Sequence, residues 1–508
     1  MRILLAGVPS IILNPLRLEL ARRHDVQTLS GDARDREQCL AAAAFDVVVH
    51  GLPGLEDPAE AIDAATRGTW NLLTTTGARR YIQLSSMRHF GDYDVRWDVH
   101  EGWAPRPTTD TDQLVPYLAE ITSRETARAR RVECIVLRLD EIVIDEVFAA
   151  GPVKPQWLHV DDAVSAIMRA VESEDWPEAA GRWKALHIVR GGPGSRFELH
   201  GALAPPLSYA SRYQSPVQPD CYVGSPAFPQ RPRVMDSLPQ PRRILLLGAG
   251  GPLGAVTAAT LRDRHQLRLA DLRPLTDFAA ASPQSPGAPR PQPTTPPHEE
   301  CITDITDVAA VHNAAQGTDC VINCTVIRRD PIAAFRVNVV GAYNVMQAAV
   351  QAGIRRVVHT GPALTLAPHP TGYTDDRMVD STAPPRPGDD LYSITKYAGQ
   401  EICRIFAERH AIACPTLLFC GFVNPDLPPN ADRRTGFNSF FISWRDAGDA
   451  MGAAARVDAL PEPSPVIHIL ADSPHDRYRA NTAYDILRWQ PRDRLDHLWH
   501  RQPSKDPT

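Results

Sequence analysis

Two groups of residues in the second half of the chain have types and spacings suited to chemistry. Gly248-Ala249-Gly250-Gly251-Pro252-Leu253-Gly254 follows the apolar run Ile244 to Leu247 and opens a helical pattern. Glycines at 248, 251 and 254 allow a tight turn, the close approach of a pyrophosphate and tight helix packing, with the first helical amides near Pro252 and Leu253 facing the phosphates. About 20 residues on, Asp271 closes the next strand, where a carboxylate can accept from a ribose 2′-hydroxyl and repels a 2′-phosphate. The dinucleotide expected is therefore NAD rather than NADP, a preference that neighbouring Arg273 could soften. Further along, Tyr392 and Lys396 stand four apart at the start of an amphipathic helix, on one face. A nearby ammonium lowers a phenol's pKa from about 10, so Tyr392 could exchange a proton with a substrate hydroxyl. Each group also has a plain structural reading: a strand-turn-helix with an exposed Asp, and a chance Tyr/Lys spacing.

Positioning these residues requires buried strands joined by helices. Short apolar runs at 3–6, 47–49, 244–247, 321–323 and 357–359 read as buried strands, and the patterns over 333–352 and 392–409 read as helices. Near-continuous apolar strands alternating with helices predict a parallel sheet covered on both faces. The chain also repeats itself. Arg2-Ile3-Leu4-Leu5-Ala6-Gly7 recurs as Arg243-Ile244-Leu245-Leu246-Leu247-Gly248, Gly68-Thr69-Trp70-Asn71 as Gly341-Ala342-Tyr343-Asn344, and Tyr117 pairs with Tyr392. The offset jumps by about 31 residues between Asp271 and Asp304, where the second copy carries a Pro-rich stretch, 274–298, expected to be an extended, mobile surface loop. The fold class expected is α/β, two tandem doubly wound, Rossmann-like parallel-sheet domains. Domain one is placed at 1–200, a Pro-rich linker at 201–241, and the NAD-binding domain at 242–508.

Composition narrows the function classes. The 508 residues are 43% hydrophobic and 22% charged, enough for sizeable cores. Lys plus Arg total 54 against 60 Asp plus Glu, a formal charge of −6 without a basic run, so neither nucleic acid nor a membrane surface is expected as partner. The nine cysteines are odd in number, sit mostly in apolar runs and lack paired Cys-x-x-Cys spacing. They read as reduced thiols, with no metal site. The start of the chain has no signal-peptide pattern, and the most apolar stretch is broken by glycines. A cytoplasmic protein is expected.

The order of motifs, from the glycine turn through Asp271, Asp304 and Asn338-Val339-Val340-Gly341-Ala342-Tyr343-Asn344 to Tyr392/Lys396, resembles the extended short-chain dehydrogenase/reductase family, the NAD-dependent epimerase/dehydratase group. Leu158-His159-Val160-Asp161-Asp162-Ala163, Ser443-Trp444-Arg445-Asp446-Ala447 and Leu487-Arg488-Trp489-Gln490-Pro491 match its late motifs. The resemblance implies a small C-terminal substrate region in each copy and a dinucleotide held by Gly248, Gly251, Pro252, Leu253, Gly254 and Asp271. Asp304 would lie near the adenine, and Asn338 would belong to the cofactor site. Tyr392 would be the general base or acid, and Lys396 would hold the nicotinamide ribose. Family members pair through the helices that include the Tyr/Lys helix, which implies pairing of the two domains within the chain, or a homo-oligomer.

Both copies depart from that pattern. The family's active-site Ser or Thr is replaced by Pro362, leaving Thr360 two residues away as a substitute only if the loop path differs. Losing one oriented donor costs on the order of 100-fold in rate. Copy one has Ser10 and Leu13 at two glycine positions, Ser30 facing Asp271, Ala65 opposite Asn338 and Ile121 at the lysine position. It is expected to be degenerate. Two functions remain: an NAD-dependent oxidoreductase or epimerase acting on a secondary hydroxyl of a nucleotide sugar or related small molecule, or a non-catalytic NAD-binding regulator or scaffold.

Overall fold

The computed structural model describes residues 1–41, 44–149, 154, 156–174, 182–192, 195–214, 234–282, 287–363, 376–426, 440–472 and 477–495. These form two compact units, Met1–Arg231 and Pro232–Thr508.

In the first unit the strands are β1 (Arg2–Ala6), β2 (Asp25–Thr28), β3 (Val47–His50), β4 (Arg80–Ser86), β5 (Glu133–Leu139), β6 (Glu141–Val143), β7 (Trp157–His159) and β8 (Trp183–Ile188). Six of them build a parallel sheet in the order β2-β1-β3-β4-β5-β8, and β6 pairs with β7 separately. Because the sheet is covered on both faces, its central strands are largely buried, with apolar runs in β1 and β3. β3 is buried at every position, and Ile3, Leu5, Val47, Val49, Ile82 and Ile135 join one core while Leu4, Val48, Tyr81 and Cys134 join the other.

The second unit repeats this plan. Its strands are β9 (Arg243–Leu247), β10 (Gln266–Asp271), β11 (Glu299–Ile302), β12 (Cys320–Asn323), β13 (Val357–Pro362), β14 (Thr416–Phe419), β15 (Gly421–Val423), β16 (Phe441–Ser443) and β17 (Val466–His468). The main sheet runs β11-β10-β9-β12-β13-β14-β17, all parallel, with β15 and β16 paired beside it. Strand order is thus the same in both units, with β11 added at one edge of the second. In such a sheet, ligands sit outside the carboxyl ends of the strands where the order reverses, here between β9 and β12. The expected doubly wound α/β architecture is what the structure has.

Two expectations need correction. The Pro-rich stretch 274–298 is a loop over its described residues 287–298 but not at its start. Pro274 precedes the helix Leu275–Ala280, whose Leu275 is buried, and the remaining prolines fall after the helix rather than inside it. A proline just ahead of a helix removes no needed hydrogen bond. The span 201–241 is not free linker either. Leu207 and Tyr209 are in the first unit's core, and Tyr209 donates to the Val189 carbonyl. Met235 and Leu238 are in the second unit's core, where Met235 pairs with Leu460. Residues 215–233 lie outside the described residues.

Candidate active site

The site begins at the turn after β9. Gly248 has φ +79°, a left-handed conformation that favours glycine, and a Cβ there would meet the Cys324 and Thr325 backbone at 2.9 Å. A Cβ on Gly254 would collide with the Gly248 carbonyl, so the first turn of the helix Pro252–Leu261 can close on the strand only with glycine at that position. Gly251 differs. A Cβ there would meet nothing closer than the Gly248 oxygen at 3.6 Å, an ordinary contact, so no protein neighbour calls for glycine. Its missing side chain leaves the cleft wall open where a phosphate would approach. The residues present therefore fit a dinucleotide.

Asp271 ends β10. Its carboxylate accepts from the Gly250 N–H at 2.8 Å and from the Leu272 N–H at 2.8 Å, and burial raises its pKa against those two donors. A carboxylate has about four acceptor positions, so it retains capacity for ribose hydroxyls. Asp304, exposed after β11, accepts from Thr306 N–H and Oγ1. Arg273 lies 4.7 Å from the centroid of the Phe278 ring, and the Phe278 ring packs over Gly250. Phe278 was missed in the sequence because its neighbours read as loop.

One cleft of about 730 Å³ brings these groups together. Gly248, Gly251, Pro252, Leu253, Gly254, Asp271 and Asp304 line it, and so do Thr360, Tyr392 and Lys396. The helix Leu391–His410 carries the last two, started by Asp390, whose carboxylate accepts from the Ser393 N–H. Lys396 is 2% exposed, and burial lowers its pKa to about 8. Burial also disfavours the charged form of Tyr392 and raises its pKa. The cation that opposes this rise is Arg328 rather than Lys396 as the spacing had suggested. The Arg328 guanidinium lies 5.1 Å from the Tyr392 ring centroid and also lines the cleft. In the sequence, Arg328 belongs to none of the motifs.

Asn338 is the predicted site residue that does not line the cleft. It is 2% exposed, in the π-helical turn Arg336–Val340. Ile327 N–H donates to its Oδ1 at 3.1 Å, and its Nδ2 donates to the Ile327 carbonyl at 2.7 Å and to Thr395 Oγ1 at 2.9 Å. It ties the loop after β12 to the tyrosine helix and has no donor left for cofactor. Gly399 permits this contact, since a Cβ there would collide with the Asn338 carbonyl. Thr360, 7% exposed in β13, donates its hydroxyl to the Asn323 carbonyl at 2.9 Å, so its proton is engaged between strands. Pro362 lines the cleft where the hydroxyl was expected to be absent. Phe419, Cys420, Phe422 and Trp444 complete that end, with the Phe422 and Trp444 rings stacked at 4.3 Å and 6°.

Comparisons with known proteins identify the family. Residues 244–439 match the model of the NAD dependent epimerase/dehydratase family. A 3-diazoavenalumate denitrifying reductase from Streptomyces sp. is 31% identical over 274 residues, covering 41% of this chain and 87% of the relative. The chain belongs to the NAD-dependent epimerase/dehydratase family. NAD, the expected cofactor, is the one that describes this family. Other relatives in it are a uronate dehydrogenase from Pseudomonas putida, 31% identical over 176 residues (34% of this chain, 57% of the relative), and an NAD-dependent glucose-6-phosphate dehydrogenase from Haloferax volcanii, 25% identical over 261 residues (49% and 93%). The chain thus spans little more than half the length of that uronate dehydrogenase. Among solved structures, a uronate dehydrogenase from Agrobacterium tumefaciens is similar at 24% identity and a TM-score of 0.41, covering 52% of this chain and 91% of that one. Among the described residues no helix is long and apolar enough to cross a membrane, and no His, Cys, Asp and Glu cluster could hold a metal ion.

Proposed function

We propose that the second unit carries an NAD-dependent oxidoreductase or epimerase site acting on a secondary hydroxyl of a small metabolite, a nucleotide sugar or a related polar compound, and that the first unit is its degenerate tandem copy. The observation that carries this reading is the single cleft in which the glycine turn and Asp271 meet Tyr392 and Lys396. Bound NAD would supply the hydride acceptor or donor. Gly248, Gly251, Gly254 and Asp271 would seat it, with Asp304 toward the adenine and Lys396 toward the nicotinamide ribose. In the oxidative direction Tyr392, as phenolate, takes the hydroxyl proton as the carbon gives up hydride, and it returns the proton in the reductive direction. A buried ammonium at Lys396 would donate to the ribose hydroxyls of bound NAD. The names of the relatives span sugars and 3-diazoavenalumate, so they support the reaction class more strongly than any one substrate. Among the described residues Cys39, Cys134, Cys320, Cys403 and Cys414 are buried thiols outside any disulfide, which supports a reducing compartment such as the cytoplasm.

A second reading, a non-catalytic NAD-binding regulator, is favoured by Pro362 and by the engagement of the Thr360 hydroxyl with Asn323. Fluorescence titration with reduced NAD, combined with turnover assays on uronates, aldoses and sugar phosphates, separates the two. The oxidoreductase reading expects Tyr392→Phe to bind reduced NAD as wild type does while losing turnover. Wild-type binding with no turnover on any substrate in the panel favours the regulator.

A further inference from the structure

The end of the cleft where proton transfer would occur has lost one donor, at Pro362, and has a second, Thr360, directed at the Asn323 carbonyl. A different donor stands there. Arg328 projects from the loop after β12, with its guanidinium 5.1 Å from the Tyr392 ring centroid and lining the same cleft. Its placement is built in. Asn338 grips both main-chain groups of the preceding residue, Ile327, and in the same stroke holds Thr395 on the tyrosine's own helix. Loop and helix are therefore fixed to each other one residue away from Arg328 on one side and three from Tyr392 on the other.

We propose that Arg328 is a positioning residue for the proton-transfer step, taking over, through the Tyr392 phenol, the orienting donor role that Pro362 leaves vacant. A guanidinium has five N–H donors in a rigid fork. One can hold the phenol oxygen, and the others remain for the oxygen that shares the phenol's proton. The positive charge also favours the phenolate over the phenol, which a neutral hydroxyl at position 362 could not do. The other titratable groups that bear on Tyr392 push the opposite way: Cys420 from the segment after β14 and Asp390 at the start of its own helix both raise its pKa, as burial does. Lys396, one turn along the helix, lines the same cleft. Arg328 is the group that opposes them.

The inference rests on Tyr392 being the proton-exchanging group proposed above, but it can be tested without a substrate. Tyrosinate absorbance is followed against pH in the full-length chain, and the Tyr392→Phe titration is subtracted to isolate one step. Arg328→Met is expected to move that step up by about one pH unit or more, as loss of an adjacent opposite charge does, and Arg328→Lys to move it by less. Reduced-NAD affinity, read by fluorescence, should stay within about twofold of wild type in both variants, because Arg328 is not among the groups proposed to seat the nucleotide. A step that stays put in Arg328→Met, or the lack of any resolvable wild-type step, overturns the proposal. Failure of the wild-type chain to bind reduced NAD would bring down the proposed function instead, while the titration would still report on the Arg328–Tyr392 pair.

Discussion

The two glycine turns, after β1 and after β9, sit in sheets of the same strand order but have different surfaces. After β9 the helix starts at Pro252, and Gly251 and Gly254 leave its first turn bare. After β1 the helix Ser10–Ala21 starts with a serine, and Leu13, at the position of Gly254, packs against the core instead. The contrast continues at the other end of the sheet. Where the second unit has Lys396, buried and lining an open cleft, the first has Ile121, 2% exposed. Beside it Glu120 accepts from Ser85 Oγ at 2.6 Å and from Arg138 at 2.8 Å. Burial acts to raise the Glu120 pKa, but Arg138 and His89 outweigh it and hold the carboxyl well below the usual range. In the first unit Glu120 is paired with Ser85 and Arg138, whereas the second keeps an uncrowded glycine at 251 and a desolvated lysine that its own packing does not call for. Such arrangements oppose stability and are the mark of a site kept for a ligand.

The contrast can be broken most forcefully at the two tyrosines. Tyr392→Phe should lower turnover by about 100-fold to 10,000-fold, the range for loss of a general acid or base, with reduced-NAD affinity retained. Tyr117→Phe should leave turnover unchanged, and a comparable loss from both would end the asymmetry. Next in size is stability. Arg138→Met strands a buried Glu120, which should cost the first unit roughly 3 to 5 kcal/mol, measured by urea unfolding, with no change in reduced-NAD affinity. Pro362→Ser sharpens the account in the other direction. With Arg328 already serving as the orienting donor, restoring a hydroxyl should change turnover by less than about threefold, and a gain of about tenfold to 100-fold would mean that the role is still vacant.

The smallest effect is pH-linked. The folded pKa of Lys396, about 8, lies below its ordinary 10.5, so between those values the unfolded chain binds the extra proton. The Lys396 contribution to stability should therefore rise as pH climbs from 8 to 10.5, and below pH 8 the full penalty of the buried charge applies. Lys396→Met should raise the melting temperature of nucleotide-free protein at pH 7, and the gain should shrink toward pH 10. A gain that does not vary with pH would show that the lysine's charge is not desolvated.

Much of this was legible in the residues themselves. Apolar runs located β1, β3, β9, β12 and β13, because strands of a doubly covered sheet admit few polar residues. Glycine spacing, the acidic strand end and the Tyr392/Lys396 interval located eight of the cleft-lining residues, because close backbone approach and helical periodicity leave a mark in sequence, and the family resemblance added Asp304 and Thr360. Asn338, Arg328 and Phe278 were read wrongly or missed for one shared reason. Their roles depend on what lies across space from them: Thr395 for Asn338, Tyr392 for Arg328 and Gly250 for Phe278. Proline density misled too, since prolines beside a helix look the same in composition as prolines that prevent one.

The central claim is that one half of the chain seats a dinucleotide and the other does not. Calorimetric titration of the full-length chain with reduced NAD addresses it directly, on wild type, Gly251→Arg and Ser10→Arg. The account predicts one nucleotide bound per chain, binding weakened by about 100-fold or more in Gly251→Arg (~2.7 kcal/mol or more), and wild-type behaviour in Ser10→Arg. Two nucleotides per chain, or binding that survives Gly251→Arg and fails in Ser10→Arg, would contradict it.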